Sequence, residues 1–329
     1  MKPSFVFVCA ALLVMTGLSN AQAEKTLRLT LQLPATHHLG KNVQAFADEV
    51  VGATNGEINV EIYPSAQLYK DKEVPQAVAS GAVEMGVVPL TQFAGTIPAV
   101  ELFYVPFLFS NQEALQKAVQ QGSPVRQPLD DAVLQTGARI LWWQAYGGAV
   151  IINNDSEIRR PSDLKGKKVR IFSKTLGALV EAAGGAPTAI SGSEQFLAYQ
   201  RGTVDVGLTG VTAVKERKMY EVMNTLTATK SMVDIEFVVL INEATWQGLS
   251  EEHRQIMANA ATKVEKQLRD EMNQLEADAF AFVKDKMNIV ELNEEEVQEW
   301  QKLAEPVVNE FLKNSGALGQ QLVDAARQL

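Results

Sequence analysis

Arg170 is the residue of this sequence best placed to hold a small molecule. It sits in Lys168-Val169-Arg170-Ile171-Phe172, where charged and apolar positions alternate as in a half-buried strand, near the strand's C-terminal end. A guanidinium is a planar fork of donors that can pair both oxygens of a carboxylate. In open α/β sheets, ligands lie beyond the carboxyl ends of the strands. On the residues alone, a ligand anchor and a salt bridge to a neighbouring element are equally open. His37-His38 follow the first expected strand and read either as a loop or helix start or as ligand contacts, whereas His253 reads as a solvated helix residue. The sequence carries no HExxH, CxxC or Gly-x-Ser-x-Gly pattern, no dinucleotide Gly-x-Gly-x-x-Gly and no phosphate loop. No nucleophile–base pair, metal set or cofactor is therefore expected, and the chain is not read as an enzyme.

The chain has 329 residues. Residues 1–23 read as a secretion signal, with Lys2, an apolar centre from Phe5 to Leu18, and Ala21-Gln22-Ala23 for cleavage. A retained N-terminal anchor is the competing reading. No later stretch approaches the roughly 20 apolar residues of a membrane helix, so no stable membrane insertion is expected after cleavage. The single cysteine, Cys9, lies within the signal. A disulfide-free exported protein of this size fits a bacterial periplasm. The formal net charge of −9 argues against nucleic acid as a partner. It does not argue against an anionic ligand, because a desolvated arginine outweighs a diffuse, salt-screened surface field.

Strand-like and helix-like patterns alternate along most of the chain, which predicts α/β lobes with mainly parallel sheets. Strands are expected at 27–31, 57–63, 83–88, 138–143, 149–153, 167–172, 186–190, 204–208 and 237–242. Gly147-Gly148 is expected to interrupt the strand around it and to serve as a hinge. Glu101 to Phe109 is strongly apolar and is broken by Pro106, so it reads as core packing rather than one helix. Ser250 caps a run from Glu251 to about Lys284 that lacks glycine and proline. A helix of that length, roughly 50 Å at 1.5 Å per residue, is longer than one lobe needs and is expected to span two. Further helices are expected at 294–303 and 306–312, with a short one from Gly319.

Asp163-Leu164-Lys165-Gly166-Lys167-Lys168-Val169-Arg170, followed by Gln200-Arg201-Gly202-Thr203-Val204-Asp205, resembles the solute-binding proteins of TRAP (tripartite ATP-independent periplasmic) transporters. Pro64-Ser65-Ala66-Gln67-Leu68, Val105-Pro106-Phe107-Leu108-Phe109 and Tyr220-Glu221-Val222 extend the match over essentially the whole chain after the signal. The resemblance implies a two-lobed α/β periplasmic binding protein of Venus-flytrap type, closing on an organic acid, with a long helix crossing both lobes. It implies lobe I at 24–146 plus about 235–274, and lobe II at 147–234 plus about 275–329. It also implies delivery to a membrane permease driven by an ion gradient.

The family's carboxylate-anchoring arginine falls on Arg170. Thr209 stands where many members place an asparagine against ligand, Ala149 where many carry a second arginine, and Gly192 where an aromatic is common. The resemblance thus implies fewer polar anchors, and favours a monocarboxylate with an apolar or aromatic body over a four-carbon dicarboxylate. A binding protein of an ABC importer or of a chemoreceptor belongs to the same structural class and stays open. Thr91 and Gln92, after the third strand, are expected to face the cleft. Trp143 and Tyr146 mark one lobe crossing and His37 the first strand end. Asp234 near the second crossing would meet a polar group of the ligand or cap the hinge.

Overall fold

The computed structural model describes residues 25–109, 111–154, 156–229 and 232–329; the secretion-signal reading and Cys9 lie outside them. Among the described residues there are ten strands: β1 (Lys25–Leu31), β2 (Ile58–Tyr63), β3 (Met85–Pro89), β4 (Ala138–Asn153), β5 (Lys168–Ile171), β6 (Ala186–Ala189), β7 (Val206–Gly210), β8 (Thr225–Ala228), β9 (Asp234–Asn242) and β10 (Asn288–Glu291). They run β2-β1-β3-β9-β4-β7-β5-β6, with β8 joining β4 to β10. The first half of β4 pairs with β9, and its last residues pair with β7 on one side and β8 on the other. Two sheets therefore share one strand, and the protein is a two-lobed α/β molecule.

The sheets are mixed rather than mainly parallel. The βαβ units give parallel pairs, β1 with β2 and β3, and β5 with β6 and β7. The two strands that carry the chain between the halves, β4 and β9, run antiparallel to each other and to their other neighbours β3, β7 and β8. The four-residue β8 and β10 were not expected; each is too short to show a period in sequence.

β4 is one strand of 16 residues, not two. Its glycine pair bends it through a register shift between Ala145 and Gly147. Gly147 has φ +104°, and a Cβ there would lie 2.5 Å from Glu276 Oε1, so both backbone and neighbour demand glycine.

The helix Glu251–Lys284 has the expected bounds, with Ser250 Oγ accepting from the His253 amide. Val264 and Leu268 pack in the larger hydrophobic cluster and Ala279 and Val283 in the second, so the helix crosses from one to the other. The expected C-terminal segments form one element, Glu294–Ala326, with Pro306 inside and a break at Gly316. It packs on the tight turn Pro98–Tyr104 and on the helix Lys174–Ala182, touching both halves. Pro98–Tyr104 is core: Phe103 stacks on Phe109 and meets Trp143 edge-on.

Candidate functional site

β5 places Arg170 one residue before its end, flanked by the buried Val169 and Ile171. The side chain is only 4% exposed. Its Nε donates to the Ile190 carbonyl at 3.1 Å and Nη1 to the Leu208 carbonyl at 3.0 Å. Its guanidinium carbon lies 4.8 Å from the centre of the Phe172 ring. Those three contacts fix the fork. Among the described residues no carboxylate forms an ion pair with it. Burial accordingly pulls its pKa below the usual arginine range, opposed by Tyr199 and Tyr146. An arginine does not deprotonate under ordinary conditions, so the site holds a buried cation without an anionic partner.

A narrow cavity of about 20 Å³ surrounds it. The carboxyl ends of β1, β3, β5 and β7 all contribute, through Gln32 and Leu33, Pro89, Phe172, and Thr209. Tyr146 and Phe237 form an aromatic wall, stacked with centroids 5.0 Å apart. Gln195, Asp71 and a second cation, Arg217, complete the polar side. Arg217 donates through Nη1 to Gln195 Oε1 at 2.9 Å and through Nη2 to the Gly192 carbonyl. Gln195 in turn donates to the Tyr199 hydroxyl at 2.6 Å. That hydroxyl occupies the space over Gly207, where a Cβ would come within 1.9 Å of it, so β7 needs glycine there.

The two halves touch across the cleft. Asp71 accepts from the Ser191 hydroxyl and from the Gly192 amide (3.3 Å). Thr91 Oγ1 donates to the Phe172 carbonyl at 3.1 Å, and Lys70 Nζ pairs with Glu194 at 2.7 Å. Glu101 caps the helix Lys174–Ala182, accepting from the Ser173 hydroxyl and from the amides of Lys174 (3.0 Å) and Thr175 (2.8 Å).

Of the residues singled out in the sequence, Arg170, Thr209 and Tyr146 line one cavity. Thr91 and Gln92 line the adjoining open cleft, which shares Asp71 and Phe172 with it. His37 stands behind the wall: its ring stacks on Tyr146 with centroids 5.3 Å apart. Ala149 is paired to Gly210 inside β4 and is not part of the lining.

Trp143 does not reach the cavity. Strand alternation explains it. Trp142, Gln144 and Tyr146 share the face toward the helix His38–Ala53, where Asn42 accepts from Trp142 Nε1 and Gln144 Nε2. Trp143 points the other way, donating to Asp130 at 2.8 Å under the Arg126 guanidinium. Asp234 is also displaced from the cavity. It lines a separate recess with Glu236, Glu276 and the Gly147-Gly148 backbone, and its carboxyl is pushed up to about 7 by burial and by those two acids.

His37, His38 and Glu216 form the one His/acid cluster with metal-like spacing among the described residues. Its proton arrangement is that of a pinned carboxylate. His37 Nδ1 accepts from the Leu39 amide at 3.2 Å, which leaves the imidazole proton on Nε2, facing Glu216 at 3.6 Å. His38 brings its amide (3.1 Å) and Nδ1 (3.0 Å) to the same Glu216 oxygen. Burial, then the neighbouring His38 and Arg217, hold His37 well below the usual histidine range, hence neutral.

Sequence reasoning missed Arg217, Gln32, Asp71 and Gln195. Arg217 stands beside Lys215 and Lys218 at a helix end, a pattern that reads as a solvated basic terminus. Its only local signal is that this helix directly follows the strand carrying Thr209.

Two sheets sharing a strand, closed on a buried cation at their carboxyl ends, define the class of two-lobed solute-binding proteins. The family described as "Bacterial extracellular solute-binding protein, family 7" (DctP) matches residues 30–314. The chain belongs to that family, the solute-binding proteins of TRAP transporters, which bind small organic acids outside the cytoplasm and work with membrane components. It is 29% identical over 320 residues to the C4-dicarboxylate-binding periplasmic protein DctP of Rhodobacter capsulatus, covering 94% of this chain and 95% of the relative. It is 26% identical over 314 residues to the sialic acid-binding periplasmic protein SiaP of Vibrio cholerae, with 94% and 95% covered. A TRAP periplasmic solute-binding protein from Polaromonas sp. JS666, solved bound to D-erythronate, superposes with a TM-score of 0.86 at 25% identity, covering 93% of this chain and 99% of that one. Among the described residues no helix is long and apolar enough to cross a membrane.

Proposed function

We propose that this chain captures a small organic carboxylate in the periplasm through an ion pair with Arg170 and hands it to the permease subunits of a TRAP transporter, without turning it over. The observation that carries this reading is the buried guanidinium held by carbonyls and an aromatic face, with no carboxylate of its own. A ligand carboxylate supplies the missing partner, and its two oxygens suit the fork. The residues at 24–146 and about 235–274, and at 147–234 and about 275–329, are the lobes that move, with the Gly147-Gly148 bend as hinge.

A single carboxylate on an apolar or aromatic body fits the wall of Tyr146, Phe237, Phe172 and Ile235. The second reading is a four-carbon dicarboxylate, favoured by Arg217 as another cation on the same cavity and by the ligand class for which the R. capsulatus relative is named. A carboxylate screen by thermal shift and calorimetry on the wild type and Arg170→Ala tests the proposal. Arg170→Ala is expected to weaken the best ligand by two to four decades, the equivalent of about 3–5 kcal/mol. A ligand that binds both proteins equally removes Arg170 from this role.

A further inference from the structure

We infer that Gln32 and Arg217 form a hydroxyl-reading pair, so that the site selects a hydroxylated monocarboxylate over the bare acid or the diacid of equal length. The inference rests on the carboxylate reading of Arg170; it keeps an apolar face against Tyr146 and Phe237 and replaces a wholly apolar body with one that carries hydroxyls on its other side. Gln32 follows β1 on the cavity wall and is 4% exposed. Its Oε1 is buried and has no hydrogen-bond partner. A buried acceptor left unmade costs free energy that a ligand donor recovers.

Two neighbours narrow that donor. Gln32 Oε1 lies 2.5 Å from where a Cβ on Gly192 would stand, so the acceptor presses against Gly192. Arg217 Nη2 donates to the carbonyl of the same residue, and Arg217 lines the same cavity, so a donor side chain and an acceptor side chain both meet the wall at Gly192. A hydroxyl both gives and accepts a hydrogen bond, and it satisfies the two walls at once. An alkyl carbon satisfies neither. A second carboxylate would meet Arg217, but it would also face the Gln32 oxygen and Asp71, which lines the same cavity. The aromatic wall meanwhile takes the carbon face of a polyol chain. The ligand is then amphipathic, with its carboxylate on Arg170, its C–H face on Tyr146 and Phe237, and its hydroxyls toward Gln32 and Arg217.

The test is calorimetry with acids of matched length: erythronate, butanoate and succinate, and gluconate, hexanoate and adipate. In at least one set the hydroxylated acid is expected to bind about tenfold or more tighter than both others. Gln32→Met, of similar volume, is expected to shrink that ratio to less than about threefold, and Arg217→Gln, on the other wall, to shrink it as well. Melting curves confirm that each variant is folded, and Arg217→Gln decides the matter if Gln32→Met is not. A bare acid or diacid that binds as tightly as the hydroxylated one, a preference that survives both substitutions, or no binding by any of the six overturns the inference. Arg170→Ala separates the two levels. Loss of binding there with no hydroxyl preference leaves the carboxylate anchor standing, whereas unchanged binding there removes the anchor itself.

Discussion

Arg170, buried on the cavity wall, and Arg269, nearly buried beside the lobe crossing, differ in one respect. Arg269, on the long helix, meets both oxygens of Glu236 at 3.1 and 2.9 Å, with Glu265 at 3.6 Å. Burial alone would lower its pKa, but Glu236 and Glu265 outweigh burial and raise it. Arg170 has carbonyls and an aromatic ring instead, and its pKa falls. Arg269 is electrically complete within the chain; Arg170 is complete only with something added. An unpaired buried cation is unfavourable in isolation, and a binding protein can turn that deficit into affinity.

The contrast can be broken at either end. Arg170→Ala is expected to remove two to four decades of affinity while leaving the melting temperature nearly unchanged; a large loss of stability instead would make it a structural residue like Arg269. Arg269→Ala should behave in the opposite way. It strands Glu236 in the core and should cost about 3–5 kcal/mol of stability, read as a lowered denaturation midpoint. If the midpoint stays put, the two arginines do not differ as described.

Asp234 sharpens the comparison with the charge reversed, since it is a buried acid that no cation pairs among the described residues. Its folded-state pKa of about 7 lies above the unfolded value near 3.8. The folded state therefore holds the proton more tightly. Stability from this group is full below the unfolded value, falls as pH rises toward 7, and is flat above. Asp234→Asn should thus raise the melting temperature at pH 8, by up to about 2–4 kcal/mol of stability, and change it little at pH 4, close to the unfolded value. An equal shift at both pH values would show that this carboxyl does not titrate in that window.

The smallest effect belongs to Lys70→Ala. The Lys70–Glu194 pair bridges the cleft but is 45% and 48% exposed at its two side chains, so its loss should leave stability nearly unchanged and shift ligand affinity less than tenfold. A larger change in a closure-sensitive binding assay would mean that this surface pair, rather than the buried contacts of Asp71 and Glu101, holds the halves together.

Much of this contrast is legible in the sequence on one side only. Arg170 is visible because an alternating strand and its flanking turn are local patterns. The long helix is visible because a serine cap and an uninterrupted run are local too. Arg217 is not, because its meeting with Arg170 depends on how the loop after β6 folds back over the sheet. Gln32 gives no signal either, since an unpartnered amide is a property of its surroundings. The glycine pair in β4 misleads for a related reason. Glycine commonly ends a strand, and only the presence of Glu276 against Gly147 reveals that here it lets one continue.

That continuous strand bears on how the molecule melts. With β4 bonded to β9 along its first half and to β7 and β8 along its last, neither sheet can be dismantled without stripping an edge from the other. The helix Glu251–Lys284 ties the same two cores a second time. Separate lobes would ordinarily unfold in separate steps. Here a heated sample should give a single calorimetric peak, and neither half cut from the chain should fold alone.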